Sequence, residues 1–217
     1  FLDGSSSKDY AVVSVNLRNL GLINEYEGRS QGDKILRHVY NILADEMKKD
    51  NGELVTRGNA GTFYIFMQKG AKDEFMKRLN EMAEKIAGIG NKSGPIRIDT
   101  GIFCLSDKAS FKIAEAEVYA DTARKSAERS YLSTFTFYDE KFKKRQLEEV
   151  NMLNDIERAI EERKFTIHLQ PKVCAQTGLI AGAEALVRWK HPKLGFVSPA
   201  AFIPVCEKNG IISRLDQ

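Results

Sequence analysis

One stretch constrains this chain more than any other: KFKKRQLEEVNMLNDIERAIEER, residues 141–163. Leu147, Val150, Leu153, Ile156 and Ile160 recur three or four positions apart, and neither Gly nor Pro interrupts them. That is the spacing of a helix with one apolar stripe. It predicts a connecting helix over about 140–163, with a separate module on either side. Composition agrees with the division. All seven tyrosines fall at or before Tyr138, whereas Pro171, Pro192, Pro199 and Pro204, four of the five prolines, lie beyond residue 170. The expected organisation is a module at 1–139, the helix at 140–163 and a second module at 164–217.

The first module alternates strand and helix patterns. YAVVSVNL (10–17) reads as a buried strand, and Ile35, Val39, Leu43 and Met47 mark one face of a helix at about 31–49. ELVTR (53–57) and TFYIFMQ (62–68) flank a GNAG turn, which is a hairpin pattern. A helix at 71–87, a strand at 95–105, a helix at 111–129 and a strand at 133–139 complete the module. Mixed hairpins and crossovers argue for an α+β sheet with helices packed on it. The second module opens with strands at 165–171 and 180–189, a Pro- and Gly-rich loop and a short helix. Strand, strand, helix is an opening a β/α barrel can have, and about 55 of the ~250 residues of such a barrel are present.

The balance of 42% apolar and 29% charged residues excludes a mostly disordered chain. Net charge is only +3 from 33 basic and 30 acidic residues, which implies neither a membrane surface nor DNA or RNA as partner. No apolar run approaches the ~18 residues of a membrane span. Phe1 and the residues after it do not form a leader, so the chain reads as an excised piece of a longer protein, with any sensor or membrane region ahead of it. Cys104, Cys174 and Cys206 lie far apart and form no zinc pattern with His38, His168 and His191. Three such cysteines point to a reducing, cytoplasmic setting and buried thiols.

YAVVSVNLRNLGLINEYEGRSQGDKIL resembles the start of a GGDEF domain, the diguanylate cyclase fold, which reads D-x-D-x-F-K-x-I-N-D and then G-H-x-x-G-D. TRGNAGTFYIF resembles its R-x-G-G-D-E-F hairpin, with Asn59, Ala60, Gly61, Thr62 and Phe63 in the signature positions. IRIDTGIF matches the later S-x-G strand through Thr100 and Gly101. The resemblance implies a nucleotide-cyclase-like domain, a central mostly antiparallel sheet flanked by helices, over about 10–139. It also implies that the chemistry has been lost. Joining two GTP molecules is phosphoryl transfer and needs divalent metal on hard oxygen ligands. The family's first metal-binding Asp is Asn16 here, the acid of the signature is Gly61 followed by Thr62, and the aromatic–lysine pair is Leu20 and Gly21. No cofactor is therefore expected for this domain.

The family's guanine contacts survive as Asn24 and Asp33, so GTP remains a candidate ligand. The alternative is that Asn24 is a turn or cap residue and that Asp33 caps the helix after it. The family's two phosphate-contacting cations align with Glu128 and Leu132, and its product-binding R-x-x-D aligns with Asp50 to Glu53, where it is absent.

FTIHLQPKV, GAEALVRWKHP and GFVSPAAFIPVCEKNGII resemble the opening of an EAL domain, a cyclic di-GMP phosphodiesterase with a TIM-like barrel, over about 156–217. The match includes Glu184-Ala185-Leu186, Gln170-Pro171, Arg188-Trp189 and His191-Pro192; His168 departs from the usual aromatic. The resemblance makes Glu184 a ligand for Mg²⁺ or Mn²⁺, Arg188 a phosphate clamp and Gln170 a further ligand contact. Strand alternation puts Glu184, Leu186 and Arg188 on one face and Thr166, His168 and Gln170 on one face of the strand before. Polar strand ends suit a parallel barrel mouth. No complete catalytic set is present in these 217 residues. The expectation is a degenerate, regulatory or dimerising cyclase domain joined to the start of a phosphodiesterase domain. The rival is a non-catalytic cyclic di-GMP receptor or scaffold.

Overall fold

A computed structural model of the chain describes residues 10–90, 92, 94–105, 112–127 and 130–215. It divides into two compact units, residues 1–142 and 143–217.

The first unit is built on strands β1 (Tyr10–Leu17), β2 (Leu54–Arg57), β3 (Thr62–Gln68), β4 (Ile98–Cys104) and β5 (Thr134–Phe137). Their order is β2-β3-β1-β4-β5, and only the β4–β5 pair is parallel. The α+β architecture is as the sequence patterns indicate. β1 is central and covered on both faces. Ala11, Val13, Val15 and Leu17 pack with Ile35, Val39 and Leu43 of α2 (Arg29–Asp45) and with Phe75, Leu79 and Met82 of α3 (Lys72–Ala87). Val12 turns the other way, toward Ala116 and Ala120 of α4 (Ile113–Lys125). The approach of α4 is so close that any side chain at Gly101 would collide with the Ala120 carbonyl oxygen.

One helix lies outside the sequence expectation. α1 (Leu20–Glu27) precedes α2, and the two are separated by Gly28 at φ 85°. α1 buries only Leu20 and Ile23, too few positions to leave a periodic pattern. α2 also starts earlier than expected and stops at Asp45, although Met47 beyond it is still buried.

The helix predicted at 140–163 is α5 (Glu140–Glu161). Phe142 in its first turn is buried and packs on Tyr138, which stacks on Tyr119. In the second unit, Ile156 and Ala159 of α5 form a core with Trp189, Phe202 and Cys206. α5 ends in a left-handed turn at Arg163 (φ 51°), with Lys164 N–H donating to the Ala159 carbonyl at 2.8 Å. Strands β6 (Phe165–Val173), β7 (Ile180–His191) and β8 (Gly195–Val197) then form one sheet, followed by α6 (Pro199–Lys208). Here the structure corrects the expectation of parallel barrel strands: both neighbouring pairs are antiparallel. A short connection between paired strands can only make a hairpin, because a parallel pair needs a crossover of a dozen or more residues. Ile167 and Leu169 sit opposite Val187 and Ala185, beyond the part of this face that Phe202 covers at Trp189, and are each 69% exposed. Among the described residues, no helix is long and apolar enough to cross a membrane.

Candidate functional site

In the first unit, alternation along β1 directs Ser14 and Asn16 to the side that faces α4. Asn16 lies directly opposite Thr62 on β3 and Asp99 on β4, and Asp99 lies opposite Thr134 on β5. These four make a polar row across the sheet. Asn16 Nδ2 donates to Thr62 Oγ1 at 2.9 Å and to the Ala60 carbonyl at 3.3 Å. Thr134 Oγ1 donates to Asp99 Oδ1 at 2.6 Å. Arg18 holds both Asp99 oxygens, with Nε at 3.0 and 2.9 Å, and also donates to the Ser130 carbonyl. Burial pushes the Asp99 carboxyl up, but Arg18 and Thr134 together hold it below the ordinary Asp range. Hydrogen bonding to Asp99 correspondingly raises Arg18.

Behind this row lies a second cluster. Ser14 donates to Asp121 Oδ1 at 2.5 Å, Tyr64 donates to Asp121 Oδ2 at 3.0 Å, and Arg124 Nε donates to Ser14 at 3.0 Å. Burial and the Asp121 charge push the Tyr64 hydroxyl up to about 12. Sequence reasoning missed Arg18, Asp99, Ser14, Tyr64, Asp121 and Arg124 as a set. Alternation from Asn16 could have flagged Arg18, but its partner is 81 positions away.

Of the signature residues, Asn59, Ala60 and Gly61 lie in the β2–β3 turn, and Thr62 and Phe63 begin β3. Ala60 (φ 49°) and Gly61 (φ 80°) are both left-handed, and Phe63 is fully buried in the core. A Cβ at Gly61 would meet Leu20 Cδ2 at 2.7 Å. Asn24 lies inside α1 and Asp33 inside α2, so the cap reading of both is wrong: α2 begins four residues before Asp33. The Asn24 amide oxygen lies over Gly32, where any side chain would collide with it, so the fold brings Asn24 alongside the residue preceding Asp33. Leu132 is exposed, and Glu128 lies outside the described residues. Glu53, at the product-site position, is a buried structural acid. It accepts from the amides of Lys48 (2.8 Å) and Gln68 (3.0 Å) and from both terminal nitrogens of Arg78 (2.9 and 2.7 Å).

In the second unit the β6–β7 register sets Gln170 directly opposite Glu184, His168 opposite Leu186 and Thr166 opposite Arg188. Directly opposed residues share a face. Gln170, Glu184 and Arg188, from two strands, therefore lie on one side of the hairpin. Lys172, two positions past Gln170, places Nζ 3.4 Å from Glu184 Oε2; both side chains are more than half exposed. Trp189 is buried on the opposite face, with Phe165 and Phe202 around its ring. Among the described residues no three His, Cys, Asp or Glu side chains come together as a metal site. Glu184 supplies one carboxylate and Gln170 one amide, which alone do not fit a divalent ion.

The profile of the diguanylate cyclase GGDEF domain matches residues 3–131, and that of the EAL domain matches residues 153–217. The chain belongs to the GGDEF family and continues into an EAL segment. This GGDEF–EAL pair is the arrangement of cyclic di-GMP signalling proteins. A bifunctional diguanylate cyclase/cyclic di-GMP phosphodiesterase, MucR of Pseudomonas aeruginosa, is 24% identical over 211 residues, which are 96% of this chain and 30% of MucR. The cyclic di-GMP phosphodiesterase PdeL of Escherichia coli is 48% identical over 54 residues, 25% of this chain and 15% of PdeL. The GGDEF domain of DgcB from Caulobacter crescentus, solved with c-di-GMP, superposes with a TM-score of 0.52 at 15% identity, covering 59% of this chain and 77% of that one. The GGDEF–EAL chain thus spans about a third or less of the curated relatives it matches.

Proposed function

We propose that this GGDEF–EAL protein acts in bacterial cyclic di-GMP signalling, with a GGDEF domain that makes no cyclic di-GMP and an EAL domain that hydrolyses it. The observation that carries the reading is the β6–β7 register, which sets Gln170 against Glu184 and leaves Arg188 on the same face. A carboxylate, an amide and a planar bidentate cation on one face are groups that a phosphodiester and its metal call for. In this reading Glu184 is one ligand for Mg²⁺ or Mn²⁺ within a full EAL ligand set, Arg188 grips phosphate and Gln170 orients the dinucleotide. The functional parts are the GGDEF domain at 1–139, the helix at 140–163 and the EAL domain from 164. The protein works in the cytoplasm, as a homodimer.

The GGDEF domain is regulatory. Asn16 and Gly61 stand at the metal-ligand positions, and the amide of Asn16 is bonded to Thr62 and Ala60. Asn24 and Asp33, juxtaposed through Gly32, are the groups that would take the guanine of GTP.

The test is cyclic di-GMP turnover by the full-length protein with Mg²⁺ or Mn²⁺, with and without GTP. Turnover lost by at least tenfold in Glu184→Ala, with the melting temperature unchanged, supports the reading. A GTP effect abolished by Asp33→Ala places GTP at the first unit. Saturable cyclic di-GMP binding without turnover moves the assignment to a receptor, and neither activity leaves a scaffold. Cyclic di-GMP formed from GTP overturns it.

A further inference from the structure

The polar row of the first sheet holds a cation of its own. We propose that the Arg18 guanidinium is the resident cation of this site and that Arg18, rather than the loss of acids alone, excludes divalent metal from it. The inference rests on reading the first unit as a cyclase-like domain without cyclase chemistry.

The GGDEF family implies a divalent ion on oxygen ligands at this end of β1, and the residues here do not fit one. The carboxylate in the row is Asp99, and both its oxygens are already engaged: Arg18 Nε reaches both and Thr134 donates to Oδ1. A planar guanidinium matches a carboxylate with two parallel donors and stays charged at any pH the fold survives. The remaining Arg18 nitrogen is anchored on the Ser130 carbonyl, which fixes the fork in place. Arg124 adds a second positive charge acting on Asp99. Asn16 directs its amide nitrogen at Thr62 and Ala60, so it offers a donor where a metal needs an acceptor. At position 61 the left-handed turn and Leu20 obstruct an acidic side chain. A divalent ion entering this row would meet a fixed positive charge across a partly buried gap, where repulsion is screened less than in water.

Arg18 lies in the turn after β1, but its guanidinium is bonded to Asp99, which lies opposite Asn16, so an acid at 16 sits close to the guanidinium. Restoring the family's Asp at 16 is therefore not sufficient; the cation must also leave. The experiment uses full-length protein carrying Glu184→Gln, to weaken metal uptake at the second unit. Bound Mn²⁺ is counted from the loss of the free-ion electron paramagnetic resonance signal. Asn16→Asp is expected to bind no more Mn²⁺ than its parent. Asn16→Asp with Arg18→Asp is expected to gain one site per chain, roughly tenfold or more tighter than any in Asn16→Asp. Arg18→Lys in the Asn16→Asp background tests the charge apart from the fork and is expected to exclude Mn²⁺ still. Far-ultraviolet circular dichroism and thermal melting show which variants are folded. Mn²⁺ bound equally by Asn16→Asp and the double variant overturns the proposal. So does a folded double variant that gains no site. Turnover by the same position-16 and position-18 variants with Glu184 restored is read separately: its absence counts against the phosphodiesterase assignment and leaves the Mn²⁺ comparison intact.

Discussion

The candidate sites of the two units hold their polar groups differently. In the first, Asn16, Arg18, Asp99 and Thr134 are bonded to the protein, Ser14, Tyr64, Asp121 and Arg124 close a second network, and Glu53 is encased by two amides and Arg78. In the second, Gln170, Glu184 and Arg188 share a face on which Glu184 is more than half exposed beside Lys172 at 3.4 Å, and the partly buried Arg188 donates to the Val187 carbonyl at 3.0 Å. A polar group bonded internally specifies a fold, whereas one left facing water is available to a ligand. The difference sets a first unit whose polar groups are committed to one another against a second whose Gln170 and Glu184 face outward.

The sharpest way to break this comparison is to remove one partner of the buried pair. Glu53→Ala leaves Arg78 without its counter-ion and the amides of Lys48 and Gln68 without an acceptor. Losing one side of a buried pair costs about 3–5 kcal/mol. Denaturant unfolding, followed through a probe in the first unit, should report a loss of that size. A loss below about 1 kcal/mol would mean that the network is dispensable and that the contrast is only one of exposure.

Acid should weaken the first unit next. Burial raises the Glu53, Asp99 and Asp121 carboxyls, but their hydrogen-bonded partners outweigh it and hold all three below the ordinary carboxylate range. The unfolded chain protonates near pH 4, and the folded one only at lower pH. Between those values the unfolded state binds more protons, so stability is complete above about pH 5 and is lost as pH falls through the folded values. A melting temperature flat from pH 7 to 3 would sink this, and Glu53→Gln should shallow the slope.

Much of the fold was legible because it rests on local patterns. β1, β3, α3 and α5 fall where alternation or helical spacing put them. The face shared by Glu184 and Arg188 also came from period two, but its alignment with Gln170 did not, since that depends on the register across the turn. α1 left too short an apolar face to read. Arg18 carried no sequence signal of its own, because Asp99 meets it only once β1 and β4 pair. The burial of Glu53 was hidden for the same reason: Arg78, its partner, lies 25 positions on in α3. What was hidden is long-range pairing of charged groups, which spacing does not encode.

A smaller effect sharpens the view of the signature turn. Ala60 has φ 49°, a left-handed conformation that glycine adopts freely and alanine does not. The strain is offset in the turn by the bond from Asn16 to the Ala60 carbonyl. Ala60→Gly should relieve it and stabilise the first unit by roughly 0.5–1 kcal/mol, partly cancelled by the added freedom of the unfolded chain. Destabilisation in a thermal melt would show that alanine's methyl group packs in the turn rather than straining it.

The smallest expected effect is the most direct check on the second unit. Lys172 and Glu184 are 64% and 54% exposed and 3.4 Å apart, so water screens them and ordering two flexible side chains offsets the attraction. Lys172→Ala should change stability by less than about 0.5 kcal/mol, and the difference should vanish in high salt, where the Debye length shrinks to ~3 Å at 1 M. Urea unfolding at low and high ionic strength reads both. A salt-insensitive loss above about 1.5 kcal/mol would mean that Glu184 is already committed to the protein in the way Asp99 is to Arg18. The carboxylate would then be spent on the fold, and the surface carrying Gln170 and Arg188 would lose the group that makes it a site.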